Sequence, residues 1–175
     1  MSVVLTRSRA LNALRAYWSY ALSRVGSVRF LTPYTLHHTP LFISVEPAAV
    51  CQLRCPACPV GLRNTGRPGN RDNERFMSLD VWHRVLSEIR DTAFIVQFYF
   101  QGEPLLNKDL PLMIREAHEA GLYTIVSTNA QALTESMAQA LVNSGLDRII
   151  VSMDGLTDES YNAYRVGGKI GRAHV

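Results

Sequence analysis

The sequence predicts a parallel α/β fold that closes part of the way into a (β/α) barrel, with about four βα units and an N-terminal helical extension. Three observations lead there. From residue 41 onward, short apolar runs alternate with segments of helical periodicity. Each predicted strand ends in a polar or turn-forming cluster, while the strand itself is apolar. The place after the first strand, where an open dinucleotide-binding sheet carries Gly-x-Gly-x-x-Gly, holds cysteines instead. Strands that alternate with helices run parallel, because each return to the sheet needs a crossover. Parallel strands point their C-terminal ends at one common site.

The 175 residues, 47% of them hydrophobic and with a formal charge of +3, suffice for one domain with a real core. The three cysteines lie within one stretch of eight residues. An odd count in one loop argues against a disulfide framework and for a reducing compartment, the cytoplasm. Residues 1–40 read as an amphipathic helix and a connector. Leu11, Leu14, Trp18, Leu22 and Val25 recur at three- and four-residue steps. Residues 1–45 hold no Asp or Glu but do hold Arg7, Arg9, Arg15, Arg24 and Arg29. The apolar stripe is expected to pack on the body of the domain, with peripheral membrane contact through residues 8–26 as the competing reading. No run approaches the ~18 apolar residues that cross a bilayer, and Arg15 interrupts any signal-peptide core. His37 and His38 fall in the connector and read as solvated.

Residues 41–46 predict the first strand, and the cysteine loop follows it. Residues 61–75 form a loop with Gly61, Gly66, Pro68 and Gly69 as breakers. Gly61-x4-Gly66 continues as Arg67-Pro68, which excludes a phosphate-binding P-loop. Ser78 is positioned to cap a helix with Trp82, Val85, Leu86 and Ile89 on one face. Residues 94–100 predict a strand buried on both faces. A helix over 109–120 turns Leu110, Met113, Ile114 and Ala117 inward and stops at Gly121. Residues 122–127 give the third strand. Thr134 caps the next helix, which stops at Gly145, and residues 146–152 give the fourth strand. Thr157 caps a last, unfinished helix. His83 and His118 lie within helices and read as packing or solvated residues.

The chemistry is concentrated in Cys51-Gln52-Leu53-Arg54-Cys55-Pro56-Ala57-Cys58-Pro59. Pro56 and Pro59 push Cys55 and Cys58 towards extended geometry, which predicts a wrapped loop and not a helix. Three thiolates on a four-site centre leave one position open, as catalytic metal sites do. The leading reading is a [4Fe–4S] cluster with one iron not held by protein. A zinc knuckle and three buried free thiols are the alternatives. Structural zinc wants a fourth ligand, and no nearby histidine or second cysteine pair supplies one.

Cys-x3-Cys-x2-Cys after the first strand, Gly102-Glu103-Pro104 after the second, Ser127-Thr128-Asn129 after the third and Val151-Ser152-Met153-Asp154-Gly155 after the fourth together resemble the radical S-adenosylmethionine (SAM) enzymes, in wording closest to the SPASM-type branch. The resemblance covers residues 41–169. It implies an enzyme with an oxidoreductase-like radical chemistry, a [4Fe–4S] cluster on Cys51, Cys55 and Cys58, and SAM chelating the remaining iron. It also implies a reductant protein such as a flavodoxin or ferredoxin, and a peptide or small-molecule substrate. Glu103 matches the residue that accepts hydrogen bonds from the SAM ammonium, which would be charge-assisted. Gly102 then admits a close backbone approach and Pro104 fixes the turn. Asn129, Ser152 and Asp154 match positions beside the SAM ribose or carboxylate, and Arg165 resembles an arginine near the cofactor. Ala57 departs from the pattern, which commonly has a larger apolar residue against the adenine.

The sequence further predicts that the core, residues 41–169, is incomplete and that residues 170–175 are a tail foreign to it. A non-enzymatic zinc or iron–sulfur module is the alternative function. Nucleic-acid binding through Arg54, Arg63, Arg67, Arg71 and Arg75 is disfavoured, because Asp72 and Glu74 dilute the patch and no aromatic platform is interleaved.

Overall fold

The structure, a computed structural model, describes residues 3–24, 38–63 and 75–173. Val25, His37 and the loop residues Gly66, Arg67, Pro68, Gly69, Arg71, Asp72 and Glu74 lie outside the described residues. Four strands, β1 (Phe42–Val45), β2 (Ile95–Phe98), β3 (Tyr123–Thr128) and β4 (Arg148–Val151), form one sheet in chain order. Every neighbouring pair is parallel, with Val45 opposite Phe98, Gln97 opposite Ile125 and Thr128 opposite Val151. The helices are α1 (Arg7–Arg24), α2 (Pro59–Arg63), α3 (Leu79–Ile89), α4 (Leu110–Glu119), α5 (Glu135–Asn143), α6 (Asp158–Asn162) and α7 (Ile170–Ala173). The alternation is as expected, and the open sheet is a partial barrel.

Local chemistry sets most of the boundaries. The Ser78 and Thr134 hydroxyls accept hydrogen bonds from the N–H groups of Val81 (3.3 Å) and Met137 (3.2 Å), which starts α3 and α5. Thr157 and Ser160 make a reciprocal capping box at α6. Gly121 and Gly145, with φ of 74° and 77°, take the left-handed conformation that ends α4 and α5. The core lies between the sheet and α3, α4 and α5, where Trp82, Val96, Phe98, Met113, Ile114 and Val126 are buried. The Trp82 and Phe98 rings pack 5.2 Å apart.

Four details depart from the sequence expectation. β2 is shorter than 94–100: Val96 and Phe98 are buried, but Phe100 is 70% exposed beyond the strand. β4 is shorter than 146–152, and its place at the sheet edge leaves Ile149 and Val151 partly exposed. The cysteine loop does not remain a loop throughout. Pro59 begins the short helix α2, because proline lacks an N–H and its fixed φ suits a first helical position.

The fourth departure is α1. Its apolar stripe faces away from the domain, with Leu11, Leu14 and Trp18 45–56% exposed. The polar face is inward. The Arg9 guanidinium, wholly buried, donates to the carbonyls of Val4 (2.6 Å), Arg90 (2.7 Å), Ala120 (2.8 Å) and Gly121 (2.9 Å). Asn12 donates to the carbonyls of Thr39 and Thr92 and accepts from the Thr39 N–H. The last carbonyls after α3 and α4 have no helical partner, and a cation there also suits the helix dipole. That unmet need outweighs the pull of the apolar stripe. Among the described residues no helix is long and apolar enough to cross a membrane.

Candidate metal and cofactor site

The C-terminal ends of the strands assemble the site. After β1, the chain runs through Ala48, which bridges Phe76, and enters the cysteine loop. Glu46 holds that loop's neighbour. Its carboxylate accepts from the N–H groups of Gln101 (2.9 Å) and Gly102 (2.8 Å). The Glu103 N–H donates to the Val50 carbonyl at 2.8 Å. The two loops touch backbone to backbone: a β-carbon on Gly102 would lie 1.7 Å from the Ala48 carbonyl oxygen. Gly61 in α2 is also tight, though less so, since a β-carbon there would lie 2.7 Å from the Cys55 nitrogen.

Glu103 is buried at the join between β2 and β3. One carboxylate oxygen accepts from the Thr128 hydroxyl (2.5 Å) and the Leu105 N–H (3.1 Å), and the other from the Asn129 N–H (2.9 Å). Burial pushes its pKa above the usual carboxylate range, and these three donors and the Arg165 charge offset only part of that rise. Pro104 opens the 3₁₀ turn Pro104–Leu106 behind Glu103 and is buried off the cavity wall.

The three sulfurs sit in different surroundings. The Cys51 Sγ accepts from the Leu53 N–H and from Asn129 Nδ2, each at 3.4 Å. Asn129 is itself oriented, because its Oδ1 accepts from Gln52 Nε2 (3.0 Å) and from the Gln131 N–H (2.9 Å). Burial pushes the Cys51 thiol up, the Leu53 N–H lowers it, and the charges of Glu103, Cys55 and Cys58 raise it again. Burial likewise pushes the Cys55 thiol up, against the charge and hydrogen bond of Arg165. Cys58 Sγ lies 3.9 Å from the Gln101 carbonyl. A metal centre would take these thiols as thiolates and release their protons.

Arg165 joins this wall from the far end of the chain. It pairs with Asp154, which is exposed and off the cavity wall. Burial works to lower the Arg165 pKa, and the hydrogen bond and charge of Asp154 more than reverse it. The segment is tied to the cysteine loop by the Arg54 N–H, which donates to the Val166 carbonyl at 3.0 Å. Behind it the buried Tyr161 hydroxyl accepts from Gln131 Nε2. Ser152 follows β4, its N–H bound to the Thr128 carbonyl at 2.8 Å.

Cys51, Cys55, Cys58, Gly102, Glu103, Asn129, Ser152 and Arg165 thus line one cavity of about 270 Å³. Tyr99, Phe100 and Tyr164 add aromatic wall. Among the described residues, no three His, Cys, Asp or Glu side chains gather round a single ion. Three thiols on one cavity wall with Gly61 and Gly102, two N–H donors being aimed at Cys51 Sγ, are a donor set that fits an iron–sulfur cluster. Glu46, Gln52 and Thr128 were given no role by sequence, although Gln52 and Thr128 stand inside the quoted motifs. Their available signals were position alone: an acid ending β1, a polar residue between two cysteines, and a hydroxyl beside Asn129.

A parallel α/β core with a three-thiol loop and a buried carboxylate on one cavity defines a metal- and cofactor-binding protein class. The radical SAM superfamily model matches residues 45–174, and the chain belongs to that family, whose members use a [4Fe–4S] cluster and SAM. Over 134 residues it is 36% identical to the PqqA peptide cyclase of Rhodopseudomonas palustris, an alignment covering 75% of this chain and 33% of that protein. The chain therefore spans about a third of that relative's length. The crystal structure of BtrN in complex with AdoMet and 2-DOIA is 28% identical, with a TM-score of 0.51, covering 65% of this chain and 45% of the other. Streptococcus suis SuiB bound to S-adenosylmethionine shares the fold, with 22% identity and a TM-score of 0.64 over 83% of this chain and 32% of that one.

Proposed function

We propose that residues 41–169 form a radical SAM core acting on a peptide, with Cys51, Cys55 and Cys58 as ligands of a [4Fe–4S] cluster. The observation that carries the reading is the single cavity shared by the three thiols, Gly102, Glu103, Asn129 and Ser152. When bound, cluster and SAM together supply a 5′-deoxyadenosyl radical that takes a hydrogen atom from substrate.

The chain's own residues bind and orient. Glu103 presents a carboxylate, already fixed by three donors, to the SAM ammonium. Gly102 leaves its backbone open to close approach, and Glu46 holds that backbone from behind. Ser152 and Asn129 offer polar groups to the ribose or carboxylate. Asp154 acts through Arg165, whose guanidinium it aims at the wall beside Cys55. A peptide substrate is favoured over a small molecule by the 36% identity to a peptide cyclase. A flavodoxin or ferredoxin in a reducing compartment, the cytoplasm, supplies the electron.

Anaerobic reconstitution tests the proposal. The chain is expected to take up iron and sulfide in equal amounts, and its visible spectrum to change when SAM is added. Uptake of zinc in preference to iron and sulfide, or a spectrum indifferent to SAM, would return the loop to a non-enzymatic metal module.

A further inference from the structure

From the outward face of α1 we infer a docking surface for an anionic lipid headgroup layer. The helix is held the opposite way round from an ordinary surface helix. Arg9 and Asn12 fix its polar side to the domain, and Ala13, Ala16 and Ser19 continue that side half-buried. Leu11, Leu14 and Trp18 project outward at 45%, 55% and 56% exposure, with Tyr17 packed edge-on against the Trp18 ring. Arg7 and Arg15 lie exposed on the same side.

Charge chooses the occupant. Residues 1–45 contain no carboxylate, and Arg7, Arg15 and Arg24 of α1 are exposed, while Arg9 is spent on the domain. A rim of exposed arginines around a Leu–Trp–Tyr stripe complements an anionic bilayer surface, where the ring sits at headgroup depth and each arginine meets a phosphate. A second copy of the chain would instead bring like charge against like charge.

The position of the helix gives the arrangement direction. Arg9 and Asn12 bond to carbonyls of Thr39, Arg90, Thr92, Ala120 and Gly121, all just before the strands begin. The cavity lies at the strands' other ends. Lipid bound to α1 therefore leaves the cavity mouth facing the aqueous side.

The test is vesicle sedimentation of the chain with phosphatidylglycerol–phosphatidylcholine vesicles and with phosphatidylcholine vesicles. Tryptophan emission is followed in parallel. Trp82 is wholly buried, so a blue shift reports Trp18. Binding is expected to the anionic vesicles only, falling with added salt and reduced about tenfold or more by Trp18→Glu, Leu14→Glu or Arg7→Glu/Arg15→Glu. These positions are exposed, so circular dichroism should show the fold retained. Absence of binding to anionic vesicles, or binding unchanged in the variants, would overturn the inference. A concentration-dependent dimer dispersed by Trp18→Glu would overturn it too, assigning the face to a second copy. None of these outcomes bears on cluster or SAM binding.

Discussion

Replacing Glu103 by glutamine keeps the shape of the side chain and removes its charge. The carboxylate now serves three donors, two at one oxygen and one at the other. An amide has a single acceptor oxygen. Its better orientation keeps the Leu105 N–H and the Thr128 hydroxyl and turns its NH₂ towards the Asn129 N–H, which loses its partner. A hydrogen bond to a charged acceptor contributes about 1.5–3 kcal/mol, and its loss is partly offset because the neutral side chain escapes the burial penalty on the carboxylate. The net cost to stability should be about 1–2 kcal/mol, read from urea unfolding. SAM binding should suffer more, because the ammonium loses its anionic acceptor: about 10- to 100-fold in affinity. Equilibrium dialysis of SAM against the anaerobically reconstituted protein measures this, with Thr128→Val as a control that loosens the carboxylate but keeps its charge. Unchanged SAM affinity in Glu103→Gln, with cluster content intact, would refute the assignment.

Four further outcomes are expected. Arg9→Met strips donors from four carbonyls and should lower stability by about 2–4 kcal/mol in urea unfolding. The exposed Arg15→Met should stay within about 0.5 kcal/mol of the parent. Asn129→Leu removes the side-chain N–H aimed at Cys51 Sγ and should shift the cluster's reduction potential to a more negative value in a spectroelectrochemical titration. Gly102→Ala places a methyl group 1.7 Å from a backbone oxygen, so the two loops must part. That should cost about 3 kcal/mol and deplete bound iron, measured by unfolding and by metal analysis.

Much of the architecture was legible because it rests on local signals. Ser78, Thr134 and Thr157 cap α3, α5 and α6 where the sequence placed them, and Gly121 and Gly145 end α4 and α5. The convergence of strand ends followed from parallel topology alone. What the sequence hid depends on groups brought together from afar. Arg9 reads as a surface charge until the carbonyls of residues 90, 120 and 121 are seen to share one spot. Periodicity located the apolar stripe of α1 correctly but carries no information on which side meets the domain. Pro59 was ambiguous, because proline both discourages the conformation before it and favours a helix beginning at itself. Glu46 and Thr128 act on neighbours 55 and 25 residues away, a separation at which spacing says nothing.

The contact between Gly102 and Ala48 also constrains how such a core diversifies. Where two main chains abut with no room for a methyl group, neither segment can be lengthened, re-angled or exchanged without its counterpart. That corner is frozen hardware. Novelty in what the cavity accepts must be written elsewhere on its perimeter, and the exposed stretch beyond β4, where Leu156 stands 83% exposed, is where the described chain has latitude to vary.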